Sequence, residues 1–461
     1  MYNFNTLTKQ LVCQYKKDNC IDVLIGKYRD VSSLVFILKN LGQLPKNFNG
    51  YFLIKLTEHE NYSVRLWAVK NIAKFCNVQY LSLLEKIVIY DVDTSVKREA
   101  VSAIGRMKCN EIKEVLLRTL AHEDPKIICQ AIRGLLFFKG NELVDKQLML
   151  LVEHDNEMVR SIILKEYFLK PTKSSIFPHI KSPDYLKNVV VNCDTLEAMS
   201  LICDESIHLT FTSPPYYNAR DYSMYSSYIA YLDFLTEVFQ EVYRITKEGR
   251  FLIVNTSPII IPRVSRAHSS KRYPIPFDLH ARLSGLGWEF IDDIVWMKPE
   301  YSVKNRIGGF QQHRKPLAYK PNSVTEYLMV YRKQTDRLID WNIKQYPLDL
   351  VNESKVADGF ETNNVWQINP KSHKVHSAVF PVELCQRVIN YYSFKGDLVF
   401  DPFAGSGTLG RTAKMLNRYF FLTEKNNEYF EYMKSLKADN LMENMLETQF
   451  LGLNDFKQRV R

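Results

Sequence analysis

The segment Asp401–Thr408, with the sequence DPFAGSGT, has the residue types of a ligand-binding turn between a strand and a helix. Glycine lets the backbone approach a ligand closely, and the first N–H groups of a helix can bind a carboxylate or a phosphate. Glu424 ends the next predicted strand, 17 residues after Gly407, where its carboxylate can accept both hydroxyls of a ribose. No Gly-Lys-Ser/Thr follows, so this is not a nucleotide-triphosphate loop. Together these features predict a site for a nucleoside cofactor.

A second segment, Thr212–Tyr216, reads TSPPY and follows the predicted strand IHLTF. Its two prolines fix the backbone and lack N–H groups, so the polar backbone atoms here mostly accept hydrogen bonds. The Ser213 hydroxyl is a further acceptor, and the Tyr216 ring can stack on a planar group. Two acceptors aimed at the exocyclic NH₂ of a base would free its lone pair for attack. Alone, TSPPY equally fits a rigid loop; beside a cofactor motif it predicts chemistry on an amine.

Strands and helices alternate in the part of the chain that holds both segments. Short apolar and β-branched runs at KNVVVN, IHLTFT, RFLIVN, DDIVWM, DLVFD and YFFLTE are separated by helical patterns. This alternation predicts an α/β domain with a mostly parallel sheet and helices on both faces. We place the domain at residues 182–461, after a proline-rich linker at 171–181.

Residues 1–170 predict an all-α domain with a weak internal repeat. Units begin at Asn61, Asp93, Asp124 and Asp155, which are 31 or 32 residues apart, and each first residue can cap a helix. Apolar residues follow at the third, seventh and eighth positions, on one helical face. The units resemble HEAT-type repeats, which form a solenoid, with a degenerate unit from Asp30. A non-repetitive helical bundle is the alternative.

The composition of the chain excludes several classes of protein. Of its 461 residues, 46% are hydrophobic and 24% are charged, which is globular rather than disordered usage. No apolar run reaches the ~20 residues that span a bilayer, and no signal-peptide pattern is present, so we expect a cytoplasmic protein without a membrane partner. The eight cysteines form no CxxC pair, so we expect free thiols and no metal site. A net charge of +10 suits a polyanionic partner such as nucleic acid.

Together, DPFAGSGT and TSPPY resemble the cofactor and catalytic motifs of S-adenosyl-L-methionine-dependent DNA amino-methyltransferases. The catalytic motif comes first, an order that resembles the β group of the family. The resemblance covers about 182–435 and implies a Rossmann-like methyltransferase sheet with circularly permuted motif order. Serine in the first catalytic position is typical of cytosine-N4 enzymes, and aspartate of adenine-N6 enzymes. Cytosine C5 chemistry is disfavoured because no Pro-Cys pair is present.

The resemblance also implies roles for individual residues. Ser213 and the Pro214 carbonyl would bind the target amine, and Tyr216 would stack on the base. Asp401 would lie beside the methionine moiety, and Glu424 would hold the ribose. The implied catalytic residues are Ser213, Pro214, Pro215 and Tyr216. The implied cofactor-binding residues are Asp194, His376, Phe380, Pro381, Asp401, Pro402, Phe403, Ala404, Gly405, Ser406, Gly407, Thr408 and Glu424.

The implied reaction is a direct transfer of the methyl group to an amine, without a metal or a covalent enzyme intermediate. Holding the two reactants in line would supply most of the rate gain. A base inside a duplex cannot reach the cofactor, so it must flip out. Asp194 would contact the adenine ring of the cofactor, although Cys193 stands where the family often has glycine.

Basic and aromatic residues are interleaved between the two motifs, where the β group has its target-recognition region, here about 299–375. Residues 302–337 hold eight Lys and Arg against two Asp and Glu, with Tyr327, Tyr331, Arg332 and Lys333 near the end. Such a stretch suits phosphate contact and base readout, and a solvated basic loop is the alternative. The predicted DNA-binding residues are Arg220, Lys304, Arg306, Arg314, Lys315 and Lys320.

The sequence therefore favours a sequence-specific cytosine-N4 methyltransferase acting on double-stranded DNA, in a restriction–modification system with a cognate endonuclease. Adenine-N6 specificity is the alternative within that class. A non-catalytic DNA-binding scaffold is a second alternative, and methylation of RNA or protein is a third. The helical repeat domain would contact DNA or another protein.

Overall fold

The chain divides into two compact units, Met1–Thr172 and Lys173–Arg461. The computed structural model describes residues 7–45, 47–168, 178–217, 225–261, 265, 267–268, 270–303, 316–317, 322–370, 380–438 and 448–460. Among these residues, no helix has both the length and the apolar character to cross a bilayer. All eight cysteines are free thiols.

The first unit is all-helical. Its helices are α1 (Lys9–Lys17), α2 (Ile21–Lys27), α3 (Val31–Asn40), α4 (Tyr51–Leu56), α5 (Tyr62–Ile72), α6 (Leu81–Tyr90), α7 (Thr94–Arg106), α8 (Ile112–Thr119), α9 (Pro125–Leu135), α10 (Glu142–Met149) and α11 (Glu157–Ile163). Helices α3, α5, α7, α9 and α11 form one layer in which each helix contacts the next. Helices α4, α6 and α8 pack against α5, α7 and α9, so the unit is a stack of helix pairs around one apolar core.

Asparagine and aspartate side chains cap the helices of this layer, as the repeat predicts. The observed caps are Asp30, Asn61, Asp93, Asp124 and Asn156. The last repeat begins one residue later than predicted, because the side chain of Asn156, and not that of Asp155, accepts the Met158 N–H, at 3.0 Å. The corrected register leaves Met158 48% exposed and buries Val159 instead. It also places Tyr167, which packs against the apolar core, at the eleventh position after the cap.

Two glycines allow helices α7 and α9 to approach closely. A Cβ atom on Gly134 would lie 2.9 Å from the Gly105 Cα and 2.6 Å from Leu116 Cδ1. The Gly134→Ala substitution is therefore expected to destabilise the first unit by about 1–3 kcal/mol through overpacking. Gly26→Ala, where no atom lies within 4 Å of the added Cβ, is the matched control and is expected to be neutral or slightly stabilising. Hydrogen exchange of α7 and α9 measures both, and equal protection in the two variants would contradict the prediction.

The second unit is an α/β domain. Its strands are β1 (Val189–Asn192), β2 (Ile207–Thr212), β3 (Thr246–Thr256), β4 (Ile259–Ile261), β5 (Lys271–Tyr273), β6 (Trp288–Met297), β7 (Thr325–Lys333), β8 (Val365–Gln367), β9 (Leu398–Asp401), β10 (Tyr419–Glu424) and β11 (Gln449–Gly452). Its helices are α12 (Thr195–Met199), α13 (Tyr228–Ile245), α14 (Ile275–Gly285), α15 (Ile339–Lys344), α16 (Leu348–Glu353), α17 (Val382–Tyr392), α18 (Thr408–Met415), α19 (Asn427–Ala438) and α20 (Leu453–Val460).

Nine of these strands form one mixed sheet in the order β11-β1-β10-β9-β2-β3-β7-β6-β8. The strands from β11 to β3 are parallel, and β7 runs antiparallel to both β3 and β6. Consecutive residues of β9, Val399 and Phe400, enter apolar cores on opposite faces of the sheet. The predicted sheet with helices on both faces is confirmed, and β9, late in the chain, lies beside β2, early in the domain.

The C-terminal part of the stretch predicted to read DNA is instead a strand of this sheet. Tyr331 on β7 is fully buried. The Arg332 guanidinium donates to the Gly249 carbonyl at 3.0 Å, and Lys333 Nζ donates to the Thr246 carbonyl at 2.6 Å. The prediction was wrong for these residues, because their charges satisfy backbone groups within the fold. The six predicted DNA-binding residues lie outside the described residues: Arg220, Lys304, Arg306, Arg314, Lys315 and Lys320.

Candidate active site

The two segments singled out in the sequence meet at the carboxyl ends of β2 and β9. These strands are parallel neighbours, so their last residues lie side by side. The Thr212 hydroxyl donates to Asp401 Oδ1 at 2.6 Å, and the Phe403 N–H donates to the same oxygen at 3.0 Å. Thr212 and Asp401 are buried. A single hydrogen bond thus joins TSPPY to DPFAGSGT across 189 positions of sequence.

The glycine turn is tied to the end of β10 by one carboxylate. Glu424 Oε2 accepts the Gly405 N–H at 2.7 Å, and Oε1 accepts the Asn426 N–H at 2.8 Å. Gly407, with φ of +71°, precedes α18, and a Cβ there would lie 2.5 Å from the sulfur of Met433. Glycine favours that position, because other residues rarely adopt this backbone angle and a Cβ atom would force the Met433 side chain to move.

The other residues of the turn are also held by hydrogen bonds. The Thr423 hydroxyl donates to the Pro402 carbonyl at 3.0 Å, and the Ala404 N–H donates to the Thr423 carbonyl at 3.1 Å. The hydroxyls of Ser406 and Thr408 lie 3.2 Å apart, and both side chains are buried. The turn is therefore a rigid cradle at the start of α18.

One buried and one partly buried carboxyl group, those of Asp401 and Glu424, dominate the electrostatics of this cradle. Burial raises the pKa of Asp401 to about 7, although hydrogen bonds from Thr212 and Phe403 oppose the shift. Burial likewise raises the pKa of Glu424 against the amide hydrogen bonds that it accepts. Among the described residues, neither carboxylate has a basic side chain as an ion-pair partner. Such a pair of acids suits a ligand that brings a positive charge and hydrogen-bond donors.

Asp194 lies at the same edge of the sheet, directly after β1. Its Oδ1 accepts the Leu196 N–H at 3.0 Å and so caps α12, while its Oδ2 contacts Lys425 Nζ at 3.1 Å. Strand β1 is paired with β10, so Asp194 and Glu424 follow neighbouring parallel strands. Cys193, in the place where a glycine was expected, is buried.

Phe380 and Pro381 stand at the start of α17. The Phe380 ring stacks on Phe211 of β2, with centroids 4.6 Å apart and planes 16° apart. Pro381 is the residue that precedes the first turn of α17. The structure therefore brings this segment to β2, the strand that leads into TSPPY. His376 lies outside the described residues.

A polar network lies behind the catalytic loop. Asn255 Nδ2 donates to Glu326 Oε2 at 2.6 Å and contacts Ser213 Oγ at 3.4 Å. The Tyr216 hydroxyl donates to the same Glu326 oxygen at 3.1 Å, and Lys298 forms an ion pair with the other oxygen. Burial, with the Glu326 charge, raises the pKa of Tyr216 well above its usual range, so the phenol stays neutral. The loop is therefore braced by one paired carboxylate.

The members of this network come from three adjacent strands. Asn255 is on β3 and Glu326 on β7, and Lys298 follows β6. Asn255 Oδ1 is buried and has no hydrogen-bond partner among the described residues. Sequence reasoning missed Asn255 and counted Glu326 only as an acid within a basic stretch. Their positions in the sequence could have revealed them, because Asn255 and Glu326 both lie near an end of a strand, on the sheet edge that carries TSPPY.

Comparison with known proteins shows what this domain is similar to. Residues 207–435 match the model of the N6 and N4 DNA methylases. This part of the chain is similar to that family. The methylase domain accordingly uses S-adenosyl-L-methionine as its cofactor, as the sequence predicted. Residues 81–166 match HEAT repeats, which confirms the repeat prediction over that range.

Individual relatives are matched over different shares of their own length. The methylase domain is 26% identical over 276 residues to the Type II beta methyltransferase M.BslI of Bacillus sp. (strain NEB-606), covering 58% of this chain but 29% of that protein. It is 29% identical over 271 residues to the Type II methyltransferase M.Cfr9I of Citrobacter freundii, and this match covers 52% of this chain and 83% of that protein. Among solved structures, TTHA0409 from Thermus thermophilus, complexed with S-adenosyl-L-methionine, is 23% identical, with a TM-score of 0.45. The match covers 57% of this chain and 99% of that one.

Proposed function

We propose that the chain transfers the methyl group of S-adenosyl-L-methionine to the N4 amine of cytosine in double-stranded DNA. The observation that carries this proposal is the hydrogen bond between Thr212 and Asp401, because it sets an amine-binding loop directly beside a cofactor cradle. Two reactants held in adjacent sites react with a large entropic advantage. The DNA methylase family supplies the reaction class, and the residue roles rest on the geometry of this site.

The cradle fits the cofactor in charge and in shape. A sulfonium cation beside Asp401 would relieve a buried carboxyl group that lacks a basic partner among the described residues. Each Glu424 oxygen accepts one amide hydrogen bond and keeps a second acceptor position for a ribose hydroxyl. Asp194 would contact the adenine, and Phe380 and Pro381 would close over the methionine end.

The catalytic loop would hold the target amine by its two N–H groups. Ser213 Oγ and the Pro214 carbonyl are the acceptors, with Pro215 fixing the backbone between them and Tyr216. Both hydrogen bonds draw the nitrogen lone pair out of conjugation with the ring. When bound, the cofactor would supply a methyl group activated by its sulfonium. The amine held by Ser213 and Pro214 would take this methyl group, S-adenosylhomocysteine would leave, and the amine would release one proton to solvent. The Tyr216 ring, with its hydroxyl held by Glu326, would support the flipped base from one side.

Ser213 is the basis for choosing cytosine N4 over adenine N6. A neutral hydroxyl at this position accepts one hydrogen bond, whereas an aspartate would bring a negative charge to the amine. The Type II relatives support a restriction–modification setting with a cognate endonuclease. We also propose that Arg220 and the basic residues from Lys304 to Lys320 contact the duplex.

Methyl-labelled cofactor and unmethylated genomic DNA test the proposal. After incubation the DNA is digested to nucleosides, and the labelled nucleoside is identified by mass spectrometry. We expect N4-methylcytosine. N6-methyladenine would overturn the base assignment while keeping the reaction class. Absence of label in DNA would overturn the proposal and favour either a scaffold role or transfer to RNA or protein.

Cofactor affinity is expected to depend on pH through Asp401. Because the pKa of this carboxyl group is about 7, binding of a cation beside it must first remove a proton at lower pH. Affinity for S-adenosyl-L-methionine should therefore fall by up to about tenfold per pH unit below 7 and level off above it. S-adenosylhomocysteine, which lacks the positive charge, is the matched ligand and should vary much less. Calorimetric titration from pH 5.5 to 8.5 measures both, and parallel profiles for the two ligands would refute the role of Asp401.

A further inference from the structure

One face of the helical unit is strongly basic. Helices α3, α5, α7 and α9 lie side by side and begin at the equivalent caps Asp30, Asn61, Asp93 and Asp124. Their core positions are the seventh, eighth and eleventh after the cap, together with the third in α5, α7 and α9 and the fourth in α3. Because each residue advances by about 100°, the second, sixth, ninth and thirteenth positions point the opposite way. We call the side formed by these positions the outer face of the layer.

The charges on the outer face are almost all of one sign. Its acid is Glu99. Its bases are Lys39, Lys70, Lys74, Arg106, Lys126 and Arg133. Residues 1–172 as a whole carry 25 Lys and Arg against 19 Asp and Glu, so five of the six excess positive charges lie on this face. The rest of the unit is close to neutral, and the basic residues are therefore segregated rather than scattered.

Most of these positive charges are not neutralised within the unit. Arg106 is paired with Glu99 on its own helix. Lys39 and Lys70 flank the ring of Trp67, with Nζ atoms 5.6 and 4.6 Å from its centroid. Among the described residues, no ion pair forms at Lys39, Lys70, Lys126 or Arg133. In contrast, arginines between successive repeats are paired.

That contrast is seen at the ends of the same helices. Arg65 pairs with Asp91 at 2.8 Å, and Arg98 pairs with Asp124 at 2.6 Å. These pairs tie each repeat to the next, so their charges serve the fold. On the outer face, Lys74 Nζ donates to the Gly42 carbonyl at 2.7 Å and to Asn71 Oδ1 at 2.6 Å, and so also serves the fold. The other four bases without an ion pair, named above, retain their mutual repulsion at a cost to the unit.

We infer that the outer face binds the sugar–phosphate backbone of duplex DNA, as a second contact separate from the methyl-transfer site. Packed helices are ~8–10 Å apart, so four helices spread the bases over ~24–30 Å. This approaches the ~34 Å of one turn of B-DNA, whose phosphates form a continuous row of negative charge. Lysine and arginine without paired acids match such a polyanion. The inference rests on the proposed function only in taking DNA as the polyanion that the chain meets.

Charge-matched variants of the full chain test this inference. The first combines Lys39→Gln, Lys70→Gln and Arg133→Gln on the outer face. The control combines Lys55→Gln, Lys86→Gln and Lys146→Gln, exposed residues on α4, α6 and α10 outside the layer. Both lose three positive charges. Thermal unfolding and far-ultraviolet circular dichroism establish that each variant is folded like the parent chain.

Binding to a 30-base-pair duplex is measured by fluorescence anisotropy without cofactor, from 50 to 300 mM KCl. For the outer-face variant we expect affinity at least about tenfold lower at 100 mM salt, and a slope of log K against log salt reduced by about 2–3. The control should match the parent chain. Equal losses in both variants, or no loss in either, would overturn the inference.

This assay also separates the inference from the proposed function. Binding requires no methyl transfer, so a chain that holds the duplex through the outer face but never labels genomic DNA would refute the proposed function alone. A chain that forms N4-methylcytosine while the outer-face variant binds like its parent would refute this inference alone.

Discussion

Replacing Ser213 with alanine is expected to lower kcat for DNA methylation by about 100- to 1,000-fold. The Ser213 hydroxyl is one of two acceptors that hold the target amine, and it is itself held by Asn255 Nδ2 at 3.4 Å. A positioned hydrogen-bonding group in a site closed to water typically contributes about 2.7–4 kcal/mol to the transition state. Alanine removes that group without altering the Pro-Pro backbone beside it.

Single-turnover methylation and cofactor titration distinguish this effect from misfolding. The Ser213→Ala variant should bind S-adenosyl-L-methionine like the parent chain, because the cradle that begins at Asp401 is unchanged. Ser200→Ala, whose hydroxyl contacts the Glu197 carbonyl away from the loop, is the matched control. Full activity in Ser213→Ala would show that the catalytic loop has been assigned to the wrong segment.

The Glu326→Gln substitution is expected to lower kcat by about 10- to 100-fold with a much smaller change in KM for either substrate. Glu326 Oε2 accepts hydrogen bonds from both Asn255 and the Tyr216 hydroxyl, and Lys298 pairs with the other oxygen. Charge-assisted hydrogen bonds contribute about 1.5–3 kcal/mol each. Without the carboxylate, the loop loses the brace that fixes Ser213 and Tyr216 relative to the cofactor.

A positioning role for Glu326 predicts a specific pattern of kcat among the variants. Glu326→Asp keeps the charge and should recover part of kcat, while Glu289→Gln, an exposed residue on β6, removes a charge from the same sheet and should have no effect. Steady-state kinetics with both substrates give the kcat and KM values. If Glu326→Gln raised KM and left kcat unchanged, Glu326 would contribute to binding and not to the alignment of reacting groups.

Local patterns in the sequence predicted the elements and both motifs because each depends on neighbouring residues. Caps such as Asp93 and Asp124 hydrogen-bond within two residues, so spacing alone reveals them. Strand β2 and the turn from Asp401 carry their apolar and glycine patterns in one short stretch each. The slip from Asn156 to Asp155 arose where two capping residues are adjacent and the local pattern fits both.

Contacts between distant strands could not be predicted in this way. Tyr216 and Glu326 are 110 positions apart and meet only because β7 pairs with β3. Strand order is set by packing of the whole sheet, for which no local pattern exists. For the same reason the sequence placed Arg332 and Lys333 in the stretch predicted to read DNA, because a basic pair at the end of a strand looks in sequence like part of a basic loop.

The position of β9 beside β2 has a consequence for synthesis of the chain. Helices of the first unit contact mainly their neighbours in sequence, and such local topologies fold quickly. Strand β2, by contrast, pairs with β3 soon after it emerges but waits about 190 residues for β9. During that interval one side of β2 is an open sheet edge, which is prone to pairing with other chains. Translation rate and chaperone supply should therefore affect the yield of the second unit far more than that of the first.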